Sequence, residues 1–396
     1  MTIQTSESIA KRYFLFEFFG NLAFFTPVVV LFWQSNGLTM TQIMLLQSIY
    51  SILVSLLELP TGAFADHFGK KQSLILGSFF WVVGTLWYGS SHLFWQFVIG
   101  EMLCGVGSAF ISGADRSYLH QILREEGREK DFTKIESKAR GFVQIAQGSA
   151  SVVGGLIASI SLPLTVLLTS IPNMVNIFIA RSFPSVTTHE HSEHTYFSRI
   201  HESVRLIQKN KKLMWFTLFF VFYFAFVWPM QFYFQAYMSS IGVPVYAFGV
   251  IFLGINIIAA YVLNFTHQLQ EFAGRRLYLF FIFLFVIPLI VLMLFPSFIL
   301  LPLGAVFLIC VFMMQTAVTS DVLKMVPHHT SATVLSFQNL SRRVVLACIV
   351  PFLGMATDRW GLRTGLIGYA LIALVVLLII YLFRPPNDVS PGSTDD

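Results

Sequence analysis

Charge is scarce in this 396-residue chain: Asp, Glu, Lys and Arg make up 11% of it, against about 25% in an ordinary soluble domain. That shortage excludes a water-soluble globule of this length. Cysteine is scarce too. Cys104, Cys310 and Cys348 all lie inside apolar runs, which excludes a disulfide framework and a metal knuckle. No P-loop, His-Glu-x-x-His or Cys-x-x-Cys occurs, so no motif supports an enzyme, and no cofactor, metal or nucleic-acid partner is expected. The N-terminal stretch MTIQTSESIAKRYF has no short apolar region followed by a small-residue cleavage site. No removable signal peptide is therefore expected, and the first apolar run should stay as a membrane span.

What the chain has is apolar length. It is 56% hydrophobic with a mean hydropathy of +0.71, and 42 of its residues are phenylalanine. A crossing helix needs roughly 20 apolar residues. Such runs lie near 12–34, 41–65, 72–91, 93–122, 135–160 and 162–181, and again near 213–240, 244–269, 275–295, 297–324, 331–357 and 361–384. The expectation is an all-α membrane protein with twelve transmembrane helices.

Lysine and arginine fall in alternate connections, at Lys11/Arg12, Lys70/Lys71, Arg124 to Lys134, Lys209 to Lys212, Arg275/Arg276 and Arg384. The intervening connections carry none, except the last, with Asp358, Arg359 and Arg363. The positive-inside rule puts the basic set and both termini in the cytoplasm, which suits a multi-pass protein of a bacterial cytoplasmic (inner) membrane. The polar stretch near 182–212 divides the spans into six and six. It sets a first bundle at 1–181, a linker at 182–212, a second bundle at 213–384 and a disordered tail at 385–396. A monomer is expected.

A short motif supports duplication. Asp66-His-Phe-Gly69-Lys70-Lys71 follows the second run, and Glu271-Phe-Ala-Gly274-Arg275-Arg276 follows the eighth. Both read acid-x-x-Gly-basic-basic. With Gly62 added, the first stretch resembles the cytoplasmic signature G-x-x-x-D-x-x-G-R/K-R/K of the major facilitator superfamily. The twelve spans, the central loop and the second copy extend the resemblance over nearly the whole chain. It implies two pseudo-symmetric six-helix bundles that alternate access to a central solute site. It also implies that Asp66 caps the start of span eleven, near Ser331 to Thr333, when the cytoplasmic side is closed. Gly62 would allow close helix packing and Gly69 the tight turn; alone, the same loop reads as a solvated positive-inside loop. The chain departs from the family at two positions. Glu101 stands ahead of Gly105 where proton-coupled members often carry arginine, and Ala150 to Gly155 keeps the glycine pair of the antiporter motif without its Gly-Pro.

Ionisable residues at membrane depth cost about 2.5–3.5 kcal/mol and usually face the bundle interior. The candidates for a solute and proton cavity are Glu17 and Asn21 in span one, Glu101 and Asp115 in span four, and Arg140, Gln144 and Gln147 in span five. Trp228, Gln231 and Gln235 in span seven, Asn256 in span eight, Gln315 in span ten, and Arg342 and Arg343 in span eleven complete the set. Pro229 should break or kink span seven. Glu101 is the candidate for proton coupling, and Arg342 and Arg343 for holding negative charge. Against this stand snorkelling for Glu17, a gate or structural pair for Asp115, and simple helix bridging for the glutamines. The glycines of GVGSAFISGAD and GSASVVGG read as helix packing.

The linker carries His189, His191 and His194, a possible metal site, and YFSRIHESVRLIQ then reads as a helix on the inner membrane surface. REEGREKDFTKIE, between spans four and five, reads the same way. The sequence thus points to a secondary active transporter of a small amphipathic or zwitterionic solute, coupled to protons and leaning to efflux. Uptake of a nutrient or metal chelate, and a non-transporting sensor using the histidines, are the alternatives.

Overall fold

The computed structural model describes residues 6–185, 205, 207–326 and 328–385. The histidine loop and nearly all of the linker helix lie outside them. Among the described residues the chain is helical throughout, with no strand.

The first half opens with α1 (Ser6–Gly20) and α2 (Val29–Ser35) as span one, then α3 (Met40–Phe68) and α4 (Lys70–Gly89) as spans two and three. Span four is α5 (Phe94–Ser112) with α6 (Asp115–Glu125), span five is α7 (Phe132–Ile160), and span six is α8 (Leu162–Leu168) with α9 (Ser170–Arg181). In the second half, α10 (Lys211–Val227) and α11 (Met230–Ser240) form span seven. Span eight is α12 (Val245–Leu263) with α13 (Thr266–Ala273), span nine α14 (Leu277–Leu294) and span ten α15 (Gly304–Leu323). Spans eleven and twelve are one element, α16 (His328–Leu382), divided where Gly361 takes a φ of 80°.

Nine of the described helices are long and apolar enough to cross a membrane. The last of them, residues 333–382, holds two spans; the broken first span and the Lys-Lys-Gln start of the third account for the other two of the twelve. Large apolar side chains such as Leu56, Trp95, Phe178 and Phe352 are exposed, as a lipid-facing surface requires.

Five spans differ from continuous rods, span eight being broken at Asn264–Phe265. Span one breaks after Gly20, where the free Phe24 N–H is taken by the Thr169 hydroxyl (3.1 Å). Span four breaks at Gly113, span six at Thr169, and span seven at Trp228–Pro229 as its proline dictates. The basic stretch between spans four and five is no separate surface helix. Its second part, from Phe132, is the first turns of α7, because its apolar spacing runs without interruption into the span.

The halves are joined at one end. One apolar core runs from Val30, Phe32 and Met44 of the first half into Phe219, Phe281 and Phe285 of the second. The basic-loop end of the first half has its own core around Tyr13, Phe16, Tyr118 and Phe183. At the end away from the basic loops, Trp33 meets Phe232 with ring centroids 6.0 Å apart, and Asp358 binds the start of span two. Toward the basic end, Asp66 is exposed and has no hydrogen-bond partner among the described residues.

Candidate functional site

Two cavities meet at the kink of span seven. The first, about 340 Å³, is walled in the first half by Thr26, Trp33, Gln47, Tyr50, Tyr88 and Glu101, and in the second by Trp228, Gln231, Phe232, Gln235 and Phe252. The second, about 250 Å³, shares Trp228, Gln231 and Phe252 and adds Phe224, Phe307, Gln315 and Arg342. Spans eight, ten and eleven thus contribute, as the candidate residues within them led one to expect. Spans two and three also reach the first cavity, and span five does not.

Glu101 is buried at the wall of the first cavity. Gly100 beside it leaves no room for a side chain, and the Tyr88 ring occupies that space. The Trp33 indole N–H donates to the Tyr88 hydroxyl (2.6 Å), Tyr88 hydrogen-bonds the Glu101 carboxyl, and Gln47 Nε2 donates to Glu101 Oε1 (3.3 Å). One and two turns on, Cys104 lines the same cavity and Ser108 accepts from the Tyr50 hydroxyl (2.7 Å). Both partners of Glu101 are neutral, and no cation pairs with it among the described residues.

In the second cavity the Arg342 guanidinium lies 4.3 Å from the Phe224 ring centroid, and its buried Nε has no hydrogen-bond partner among the described residues. A cation over an aromatic face gains about 0.5–2 kcal/mol, while an unmet buried donor costs about 1–3 kcal/mol. Arg342 is therefore stabilised as a charge but only partly satisfied as a donor. Gln231 and Gln315, half-buried at the cavity walls, likewise have no partner among the described residues.

The other expected residues are placed elsewhere or already engaged. Gln235 lines the first cavity, but its Oε1 accepts from Val30 N–H (3.0 Å) and its Nε2 donates to the Thr26 carbonyl (3.1 Å). It clamps the broken backbone of span one across the two halves. Arg343 pairs with Glu58 of span two (3.2 Å), another contact between halves. Asn256 donates to the Phe252 carbonyl of its own helix (2.8 Å). Neither of these two lines the cavities.

Glu17, Asn21, Asp115, Arg140 and Gln147 gather toward the basic end of the first half, away from both cavities. Asn21 donates to the Glu17 carbonyl (2.8 Å), Gln147 to Asn21 (3.4 Å), and Arg140 pairs with Glu136 (3.6 Å). Asp115 opens α6 beyond the Gly113 break, so the polar face from Glu101 to Asp115 is interrupted. Gln144 is exposed.

In the signature loop, Gly69 has a φ of 100°, Lys70 donates to the Ser117 carbonyl (3.3 Å) and Lys71 to the Phe183 carbonyl (2.6 Å). The lysines therefore tie spans four and six to span three, beyond any role in sorting. A side chain at Gly62 would meet open space. In the second copy Gly274 again has positive φ (47°), and Glu271 and Gly274 line a polar pocket with Lys212, Asp321, Lys324 and Arg384. Arg276 is exposed; the side chain of Arg275 lies outside the described residues. No cluster of metal-ligating side chains occurs among the described residues.

Trp33, Gln47, Tyr50, Trp81, Tyr88 and Phe252, none of them among the expected residues, also line the first cavity. Gln47 was findable, being a lone amide in an apolar run. The aromatics were not, among so many of their kind.

The family model of the Major Facilitator Superfamily matches residues 13–351. YxaM of Bacillus subtilis (strain 168), an uncharacterized MFS-type transporter, is 23% identical over 271 residues, 65% of either chain. The chain thus spans just under two thirds of that relative's length. The crystal structure of the nucleoside transporter NupG superposes with a TM-score of 0.78 at 12% identity, covering 96% of this chain and 99% of NupG. A bacterial homolog of the human lysosomal transporter Spinster, in its inward-facing and unoccupied conformation, gives 0.78 at 14% identity over 97% of each. At these identities the structural likeness establishes the fold, and the family match establishes the membership. The chain belongs to the Major Facilitator Superfamily and is an integral, multi-pass membrane protein.

Proposed function

We propose that the protein exports a small zwitterionic organic solute by alternating access, in exchange for protons. The observation that carries this reading is Glu101, buried at the cavity wall between two neutral hydrogen-bond partners. A buried carboxylate needs a counter-charge. With none fixed beside it, that charge is supplied in turn by a proton or by a cationic group on the solute. Two occupants that compete for one site cross in opposite directions, so an inward proton gradient drives the solute out. The neighbouring Arg342, with an unmet donor, takes the solute's anionic end. The rings of Trp33, Trp228 and Phe252 cover its apolar part, and Gln231 and Gln315 offer their amides.

The joined end lies away from the basic loops, and the positive-inside rule assigns those loops to the cytoplasm. The conformation is then the one that loads from the cytoplasm. Both walls of the cavity come from one chain, so a monomer in the bilayer is the working unit.

The test compares small molecules inside and outside cells with and without the protein, then follows the responding solute into inverted vesicles under an imposed pH gradient. Depletion from expressing cells and proton-driven uptake by the inverted vesicles are expected. Accumulation in expressing cells would make the protein an uptake permease, and binding without movement would make it a sensor. Asp66→Asn is expected to slow flux severalfold with unchanged membrane insertion. Equal flux at equal membrane abundance would remove Asp66 from the gate.

A further inference from the structure

The loop between spans eleven and twelve is the exception to the charge pattern, and its residues have a familiar order. Gly354-Met-Ala-Thr-Asp358-Arg-Trp-Gly361-Leu-Arg363 repeats the Gly-x-x-x-Asp-x-x-Gly of Gly62 to Gly69, followed by a basic residue at the second position. This copy is fuller than the one at Glu271, which has His267 where the glycine would fall. Gly361 has the same left-handed φ as Gly69, 80° against 100°. The copy lies at the opposite end of the bundle from the signature loop, at the end of span eleven.

Here the motif is docked. Asp358 Oδ1 accepts from the Met40 N–H (3.0 Å), and Oδ2 accepts from the Thr41 N–H (2.8 Å) and the Thr41 hydroxyl (2.6 Å). These are the first residues of α3, where unpaired N–H groups and the helix dipole favour an anion. A side chain at Gly354 would run into the backbone of Met40 and Thr41, so its absence is what lets the two helices touch. Next to Asp358, Thr357 is held by the Tyr233 hydroxyl of span seven (3.1 Å). At the other end of the same helix pair the matching groups are apart: Gly62 faces open space, and Asp66 is exposed without a partner among the described residues.

Spans two and eleven run antiparallel, and each ends in an acid three residues before a left-handed glycine. We infer that Asp358 is the outer counterpart of Asp66, and that the two are reciprocal latches on one helix pair. Asp358 on the start of span two holds the outer end shut while the inner end is open. Asp66 on the start of span eleven holds the inner end shut when the outer end opens. Each latch contributes the closing contact of one state, so the ratio between them sets the resting balance of the cycle. This inference rests on the alternating-access reading above.

The test measures spin-label distances in a cysteine-free background of the full chain. One pair bridges the outer end (Leu93→Cys with Phe298→Cys) and another the inner end (Glu129→Cys with Phe272→Cys), all at exposed positions. Asp358→Asn is expected to raise the ratio of outer-open to outer-closed protein about fivefold, and Asp66→Asn to move both pairs the opposite way. The double variant is expected to return close to the starting balance. Thr41→Ala, which removes one of three donors, is expected to shift the outer pair in the same direction by less, and it serves where Asp358→Asn fails to fold. An unchanged outer distribution in Asp358→Asn or Thr41→Ala, with a shifted one in Asp66→Asn, would overturn the outer latch and leave alternating access standing. Distances fixed at both ends in every variant, with or without solute, would overturn alternating access and the latches together.

Discussion

Glu101→Gln is expected to abolish flux driven by a pH gradient while leaving solute exchange across vesicles in place. The substitution keeps the shape of the side chain and an oxygen that accepts from Gln47, so the wall of the cavity is preserved. It removes the negative charge for which proton and solute compete. Coupling requires that occupancy by one exclude the other; a neutral amide takes up no proton, while Arg342 and the aromatic wall still hold the solute. The measurement is paired: accumulation of solute in inverted, reconstituted vesicles under an imposed gradient, and counterflow of labelled against unlabelled solute without one. Accumulation at the level of empty vesicles with counterflow retained is the expected outcome. Accumulation at the normal rate would take the proton-coupling role away from Glu101.

The second large effect falls on Arg342. Its Nε has no hydrogen-bond partner among the described residues and its guanidinium lies over the Phe220 and Phe224 rings, so a carboxylate or phosphate on the solute would be its strongest contact. Losing one partner of a buried, hydrogen-bonded charge pair costs about 2–5 kcal/mol, so Arg342→Gln is expected to weaken binding by about two orders of magnitude. Arg342→Lys is expected to recover part of it, because an ammonium keeps the charge without the planar fork. The measurement is solute affinity by calorimetry on purified protein, repeated with an analogue whose acid group is amidated. The wild type is expected to discriminate strongly against the amide, and the Gln variant to lose that discrimination. Equal discrimination in both proteins would place the anionic group elsewhere.

The spans were legible because an apolar run long enough to cross a bilayer has few other readings. The signature loop was legible because its glycines, acid and lysines serve a turn and a cap that other residues serve poorly. The interior of the spans was less open to reading. Gln235 and Gln231 sit four residues apart on one helix. Only the structure shows that the first is consumed by the frayed backbone of span one and the second has no partner among the described residues. The break of span one carries no proline at its start, and depends on a hydroxyl 145 residues away in span six. Pro229 broke its span as expected, yet Pro60 and Pro351 sit inside continuous helices. Proline alone does not decide, since neighbouring groups in a bundle can satisfy what it frees.

Glu17 and Arg140 show the same limit from another side. Both are charged, both fall within spans, and both were natural candidates for the cavity. They instead belong to a polar group near the basic end, where Arg140 meets Glu136. Depth along a helix follows from counting residues, but the side on which a residue faces depends on partners distant in sequence. Asp358 was visible only as an anomaly in the charge pattern. Its likeness to Asp66 became legible once both were seen at opposite ends of one helix pair.

Alternating access at the shared cavity is tested most directly by a single cysteine at Gln231, which lines both cavities at the kink of span seven. A membrane-impermeant thiol reagent is added to right-side-out and to inverted vesicles in a background lacking the native cysteines. Labelling from both faces, slowed in each case by the transported solute, is the expected result. Labelling from one face only under every condition, or labelling from both faces that solute leaves unchanged, would contradict it.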